Sequence, residues 1–320
     1  MRRFGLPIDA LDERVLLGRV YGRMVPMLDR GKDGTPPPTW LLRLLFRLIP
    51  PLRHRLDQAR AWEGDAPIRS VLDAWDRRGR AAAQVRTVEL RHADRSAMSD
   101  EALADHLEAI IEHVEQVADS HFELTLAGTY LPTGRLGLLA AELLGWEPFD
   151  TITLVQGFGE ASTGHGRAIE RLASELGAQT IDSALADPST LAGRPAVETY
   201  LAAHGHRVNA DLARPTEAED LRLVAGHLRR LAATPPDHRD PKVGAHDAER
   251  RALELIDDEA DRARCGSALE LARRGRPYGD ETEGSTLEAL TLVRFVALEA
   301  ATRFVSTGRL RSADDVWFLE

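Results

Sequence analysis

Along most of this chain apolar residues recur at three- and four-residue steps, the spacing of one face of a helix. The cleanest run follows Ser99. There Leu103, Leu107, Ile110, Ile111, Val114 and Val117 share one face, while Asp105, Glu108, Glu112 and Glu115 take the other. Ser99 suits the N-cap, and Asp100 and Glu101 suit the positive helix end. The same period predicts helices at 40–49, 52–60, 68–92, 122–131, 134–144, 164–177, 195–204, 217–233, 244–274 and 284–307. Breaks are expected at Gly31, Gly34 and Pro36-Pro37-Pro38, at Pro50-Pro51, at Gly145–Pro148, and between 233 and 244, where Pro235, Pro236 and Pro241 cluster. Arg273–Glu283 reads as a charged loop between two long helices. Thr151–Val155, short and β-branched, is the best candidate for an extended stretch, ended by Gly157-Phe158-Gly159. The expected fold is all-α, an irregular multi-helix bundle with at most a short extended segment. No repeat at solenoid spacing is present. Residues 1–60 read as an N-terminal segment with an amphipathic helix, and 61–320 as a helical domain.

Composition narrows the partners. The 320 residues are 43% hydrophobic and 29% charged, a globular balance. A formal net charge of −10 argues against nucleic acid, whose binders carry the opposite sign. One cysteine, Cys265, excludes an internal disulfide and a cysteine-based zinc site, and it reads as a mid-helix spectator thiol. No apolar run follows Met1 to Arg3, as a signal peptide requires. The expected location is cytoplasmic. Trp40–Pro51 is too short, and with Arg43 and Arg47 too charged, for a membrane span of roughly 20 apolar residues. No stable membrane insertion is expected. Trp40–Ile49 is a basic amphipathic helix suited to an anionic surface or a partner. With the rest of the chain acidic, the preferred reading is a core helix whose arginines reach solvent along their stems.

Few positions suggest chemistry. His106 and His113 lie two helical turns apart, about 10 Å, too far for one metal ion. With His121 they are read as part of a solvated charged face, and no metal ligand is assigned anywhere. Ser162–Gly177 puts His165 at the start of a helix, where a neutral imidazole can accept a phosphoryl group stabilised by helix-end N–H groups. Its wording resembles the phosphohistidine signature of phosphoenolpyruvate-utilising enzymes. It departs where Gly164 replaces the expected Ser, and where the polar Ala178–Asp182 stands in place of an apolar strand. The phosphohistidine reading of His165 is therefore disfavoured. Gly205 is expected to end the helix at 195–204 and to set His206 and Arg207 in a turn, where Arg207 suits a phosphate or carboxylate. The alternative is an ordinary helix end with a surface Arg–Asp pair. No P-loop, GxGxxG turn or GxSxG elbow appears, so no nucleotide or other cofactor is expected on this chain.

Several segments together resemble the central helical domain of the rifampicin phosphotransferase group of phosphoenolpyruvate-synthase-like enzymes. Leu154-Val155-Gln156-Gly157 with Thr163 and Leu172-Ala173 is similar to that domain's L-x-x-G-L…T…L-x-x-LA segment. Tyr200–Arg207, Asp211-Leu212 and Arg214-Pro215 are similar to its YG-x-R…D-I-x-R-P segment. Val293-Arg294, Leu298-Glu299, Gly308-Arg309-Leu310 and Asp314–Leu319 resemble its R…LE…G-x-L…DDVFYL ending. The resemblance spans residues 10–320 and is stronger in the second half. Val208-Asn209 departs from the family, which has a glycine-containing stretch there.

The resemblance implies one part of a three-part phosphotransferase. An ATP-grasp domain phosphorylates a histidine on a swivelling domain, which delivers the group to an acceptor hydroxyl held by the helical domain. This chain resembles only that acceptor-binding part, and ATP and Mg belong to a missing domain. The expected ligand is a hydrophobic hydroxylated small molecule in a cavity between helices. Gln156, Arg207, Arg276 and Arg294 are the candidate substrate contacts, the arginines offsetting phosphate charge. His206 or Glu281 is the candidate proton acceptor. The competing expectation is a catalytically inactive helical scaffold that docks a partner subunit through residues 40–56.

Overall fold

The computed structural model describes Phe4 and residues 8–16, 19–26, 38–159, 161–207, 211–233 and 240–319. The expected breaks at Gly31–Pro37 and Pro235-Pro236, and the departure at Val208-Asn209, lie outside the described residues. The chain divides into two compact units, Met1–Asp73 and Ala74–Glu320.

The first unit opens with a feature the sequence pattern does not announce. Strands β1 (Ile8–Leu16) and β2 (Arg19–Pro26) pair antiparallel, with Val15 opposite Val20 and Ile8 opposite Pro26. Helices α1 (Thr39–Leu48) and α2 (Pro50–Ala61) follow. Pro50 and Pro51 end the first and open the second, because a first helical turn needs no N–H from its leading residues. Phe4 stacks on Trp62 with ring centroids 4.4 Å apart. The expectation that α1 is a core helix is not met: Trp40 is 67% and Leu48 68% exposed. Eight of the ten residues from Trp40 to Ile49 are apolar, so no single buried face can take them all. Helix α3 (Ala66–Ala74) carries the chain to the boundary.

Among the described residues, the regular structure of the second unit is helical. A π-helical turn, Trp75–Gly79, leads into α4 (Arg80–His92). Helix α5 (Asp100–Leu124) begins where Ser99 Oγ accepts the Ala102 N–H at 3.1 Å, as its sequence predicts. It runs through a second π turn, Thr125–Tyr130, into α6 (Leu131–Leu144), which Gly145 stops with φ 66°. The stretch expected to be extended is helical. Pro148–Thr151 forms a 3-10 turn and α7 (Ile152–Val155) continues it. A capping box between Glu147 and Asp150 starts the turn, and Leu154 and Val155 are buried, so capping and packing override the β-branched preference.

Helix α8 (Ala161–Ala186) kinks at Gly177 (φ 71°), and α9 (Pro195–His204) ends at Gly205 as expected. Helix α10 (Leu221–Ala233) starts four residues later than its pattern suggests. The single helix expected over 244–274 is two, α11 (Pro241–Glu254) and the start of α12 (Glu259–Ser306), with Asp258 capping α12 through the Asp261 N–H. Arg273–Glu283 is not the expected loop: α12 runs straight through it, Pro277 included. The glycines that looked like breakers serve close packing instead. Gly275 lies against Gly128 of the second π turn, where a side chain would overlap backbone, and Gly279 faces Thr125 and Thr129.

Helix α12 is the spine of this unit. Leu292 and Val296 pack with Leu90, Leu103 and Ile110, while Cys265, Leu269 and Ala272 pack with Leu136, Leu154 and Val155. Full burial of each large aliphatic stabilises by about 1.5–3 kcal/mol. A stripe on α12 also ties down the start of α4. Tyr278 Oη donates to Asp76 at 2.6 Å, and Glu281 accepts from Trp75 Nε1 at 3.2 Å and from Arg80 at 2.8 Å. Helices α8, α9 and α10 form a third cluster around Ile169, Leu172, Val197 and Leu228. Asp105, Glu108, Glu112 and Glu115 are exposed on α5 as expected, but His113 is buried and bonds Thr87 at 2.8 Å, so it is not part of a solvated face. Among the described residues no helix is long and apolar enough to cross a membrane.

Candidate functional site

Helices α8, α9 and α10 bring polar groups together at one end of their shared apolar core. His165 comes from the first turns of α8, Tyr200 and His204 from one face of α9, and His227 from α10. Glu217 lies on the segment between α9 and α10. The Ala218 N–H donates to the Gly205 carbonyl at 2.9 Å and the Thr216 N–H to Glu219 at 2.8 Å, which fixes that segment against the end of α9.

The carboxylate of Glu217 is the centre. Tyr200 Oη donates to its Oε2 at 2.6 Å. His227 Nε2 lies 2.7 Å and His165 Nε2 3.4 Å from its Oε1. The protons follow from the neighbours. Arg230 has only donors, so His227 Nδ1 accepts from it and the ring proton of His227 sits on Nε2, toward Glu217. The Tyr200 hydroxyl gives its proton to Glu217, so its oxygen accepts from His165 Nε2, 3.0 Å away. His204 stacks on His165 at 6.1 Å and 11° between planes, and its buried Nδ1 has no hydrogen-bond partner among the described residues.

Burial raises the Glu217 carboxyl, but the hydrogen bonds from His227 and Tyr200 outweigh it and hold the group below its ordinary value. Burial lowers His165 below its ordinary value, with His227 and Arg207 adding to it against the pull of Glu217. His204 is lowered by burial and by Arg207. Tyr200 is pushed well above the phenol range by burial and its bond to Glu217. The group is thus a buried carboxylate that accepts from Tyr200 and His227, with burial holding His165 and His204 toward their neutral forms. Beside it an open cleft runs between α8 and α9, walled by Ala168, Leu172, Ala196 and Ala203, with Thr199, Tyr200, His204, Arg171 and Glu175 as its polar members.

The residues singled out from sequence fall in different places. His165 belongs to the cluster. Arg207 follows α9, acts on His165 and His204 through its charge, and pairs with Glu288 at 3.0 Å. It lies flat on α12 at Gly284, where a Cβ would sit 3.3 Å from its Cζ. His206 is half-buried and lowered by burial and Arg91, in the field of Glu288 and Glu219, and its buried Nδ1 has no hydrogen-bond partner among the described residues. Arg294 is buried and already committed. It holds Glu219 through several N–H groups at 3.0–3.1 Å, donates to the Leu212 carbonyl at 2.6 Å and lies over the Trp317 ring. His206, Arg207 and Arg294 thus share one neighbourhood. The other three do not join it. Arg276 is eighteen residues from Arg294 on the same helix, about 27 Å along its axis. Glu281 is turned to Trp75 and Arg80. Gln156 is exposed at the end of α7, which contacts α11 and α12.

Sequence reading missed Glu217 and His227. They stand ten residues apart on a turn and a helix, and fifty-two and sixty-two from His165, so no local spacing marks them. The traces were His165 itself and the run from Tyr200 to Arg207, which holds two more of the cluster's rings. No protein-family model matches the chain, and no curated protein matches it.

Proposed function

We propose that this chain is the acceptor-binding helical module of an ATP-dependent phosphotransferase of the phosphoenolpyruvate-synthase-like kind. It works in the cytoplasm with ATP-grasp and swivelling phosphohistidine domains carried elsewhere, which supply ATP and Mg. One observation carries the reading: segments far apart in sequence that bear the family resemblance meet in space. Arg294, from the closing run, bonds the carbonyl of Leu212 in the middle segment and lies over Trp317 of the terminal motif. Tyr200, which opens the middle segment, bonds His165, which lies between Thr163 and Leu172 of the first. In this reading the acceptor enters the α8–α9 cleft, whose alanine and leucine walls suit an apolar body and whose Thr199 and His204 suit a hydroxyl. His204 takes the hydroxyl proton, and Arg171 and Arg207 offset the charge of the arriving phosphoryl group. Arg294, bound in its ion pair, holds the segment in shape. Calorimetric titration with rifampicin and with a smaller aryl alcohol tests it. Saturable binding of either at one per chain is expected, and binding of neither counts against the reading.

A second reading has one observation in its favour. Trp40, Leu44 and Leu48 repeat at four-residue steps on α1 and are 67%, 44% and 68% exposed. An inactive scaffold docking a partner through that stripe would form a stable complex without any acceptor, and Leu44→Asp would abolish it.

A further inference from the structure

The acceptor reading leaves the centre of the histidine cluster without a task. We propose that His165, Glu217 and His227 form a binding site for a divalent transition-metal ion of the zinc class. This goes beyond the acceptor reading and does not depend on it.

One donor atom from each residue lies within 4.8 Å of the others. Both imidazoles present Nε2 to the same oxygen, Glu217 Oε1, at 3.4 Å and 2.7 Å. With metal–ligand bonds of about 2.0–2.1 Å, donors in a tetrahedral site stand about 3.3–3.4 Å apart. The His165–Glu217 edge already has that length. The His227 edge has to open by about 0.6 Å to reach it, a small turn of a half-buried ring. Two imidazoles and one carboxylate are the protein ligands of open zinc sites, which leave a fourth position to water or substrate. Two nitrogen donors of three disfavour magnesium and calcium, which take six or more oxygens.

The surroundings support the site. Glu217 is nearly buried, its side chain 11% exposed, so the carboxylate is screened little by water. Tyr200 donates to Oε2 at 2.6 Å and so keeps Oε1 turned toward the two rings, as partners behind metal ligands commonly do. Two cations oppose binding. Arg207 acts on His165 through its charge, and Arg230 donates to His227 Nδ1. On binding, each ring keeps one proton but carries it on Nδ1 and offers the Nε2 lone pair to the metal. His227 Nδ1 then becomes a donor, and Arg230, which is exposed, swings into solvent. Without metal the His227 Nε2–H and the Tyr200 hydroxyl satisfy Glu217 and the His165 Nε2–H goes to the Tyr200 oxygen, so the cluster is also consistent as a hydrogen-bonded network.

The test uses the full chain, stripped with a chelator and titrated with Co²⁺ alone while its visible bands are followed, then with Zn²⁺ in competition. One Co²⁺ per chain with the intense bands of four-coordinate geometry is expected, displaced by Zn²⁺. Glu217→Gln and His227→Ala are each expected to weaken binding at least 100-fold, and Tyr200→Phe by about 10–100-fold. His246→Ala, an exposed histidine on α11, leaves binding unchanged. Circular dichroism checks that each variant is folded; if His227→Ala is not, His227→Gln replaces it. No saturable band at one equivalent, or a band that survives both Glu217→Gln and the His227 variant, overturns the proposal. No acceptor takes part, so this site and the acceptor reading can fail separately.

Discussion

Gly275 of α12 rests so closely on Gly128 of the second π turn that a methyl group in its place would overlap the Gly128 carbonyl. Backbone meets backbone, and neither side can yield as a flexible side chain would. Gly275→Ala is expected to destabilise by at least about 2–3 kcal/mol in urea unfolding. Gly266, nine residues earlier on the same helix, has open space where an added methyl group would sit, with no atom within 4 Å. Gly266→Ala is expected to stabilise by about 0.5–1 kcal/mol through helix preference alone. Equal effects of the two substitutions would refute the close crossing.

Arg294 binds the turn that carries Glu217 and Glu219 to the long helix. Arg294→Ala removes the partner of Glu219, the donor to the Leu212 carbonyl and the cation over Trp317. The expected loss is about 2 kcal/mol, less than for a fully buried pair because Glu219 keeps some contact with water. Chemical denaturation measures it, and a loss below about 0.5 kcal/mol would mean the pair is incidental.

His113 makes stability depend on pH. Burial lowers it below its ordinary value of 6.5, and Arg86, the charged group acting on it, adds to the shift. Thr87 gives its own proton to the Ala83 carbonyl and so accepts from His113 Nε2, which fits a neutral ring. The unfolded chain therefore protonates first as pH falls. The contribution is complete above about pH 6.5 and is lost as pH drops toward the lowered folded value, with a slope of up to about 1.4 kcal/mol per pH unit. Unfolding free energies at pH 7.5 and 5.5 should differ less in His113→Gln than in the parent chain.

The helical skeleton was legible wherever local chemistry and packing agree. Ser99 caps α5 because its hydroxyl faces an unpaired N–H, and Gly205 ends α9 where the pattern stops. Reading failed where tertiary contacts set the outcome. Gly275, Pro277 and Gly279 look like a loop until the π turn against them is seen, since small residues serve close approach as readily as chain reversal. Thr151–Val155 is held helical by a cap and by buried leucine and valine. The β1–β2 hairpin carried too weak an alternation to stand out. The site suffered most, because Glu217, His227 and His165 meet only once three helices have packed.

The acceptor reading stands or falls on the α8–α9 cleft. Ala203 is an exposed member of its wall, so Ala203→Trp fills the space without disturbing the core. The most direct measurement is calorimetric titration of the parent chain and of this variant with the same hydroxylated apolar compound. One saturable site in the parent that disappears in Ala203→Trp, with both proteins melting alike, is the predicted result. Equal binding by both proteins, or none by the parent, would contradict the account.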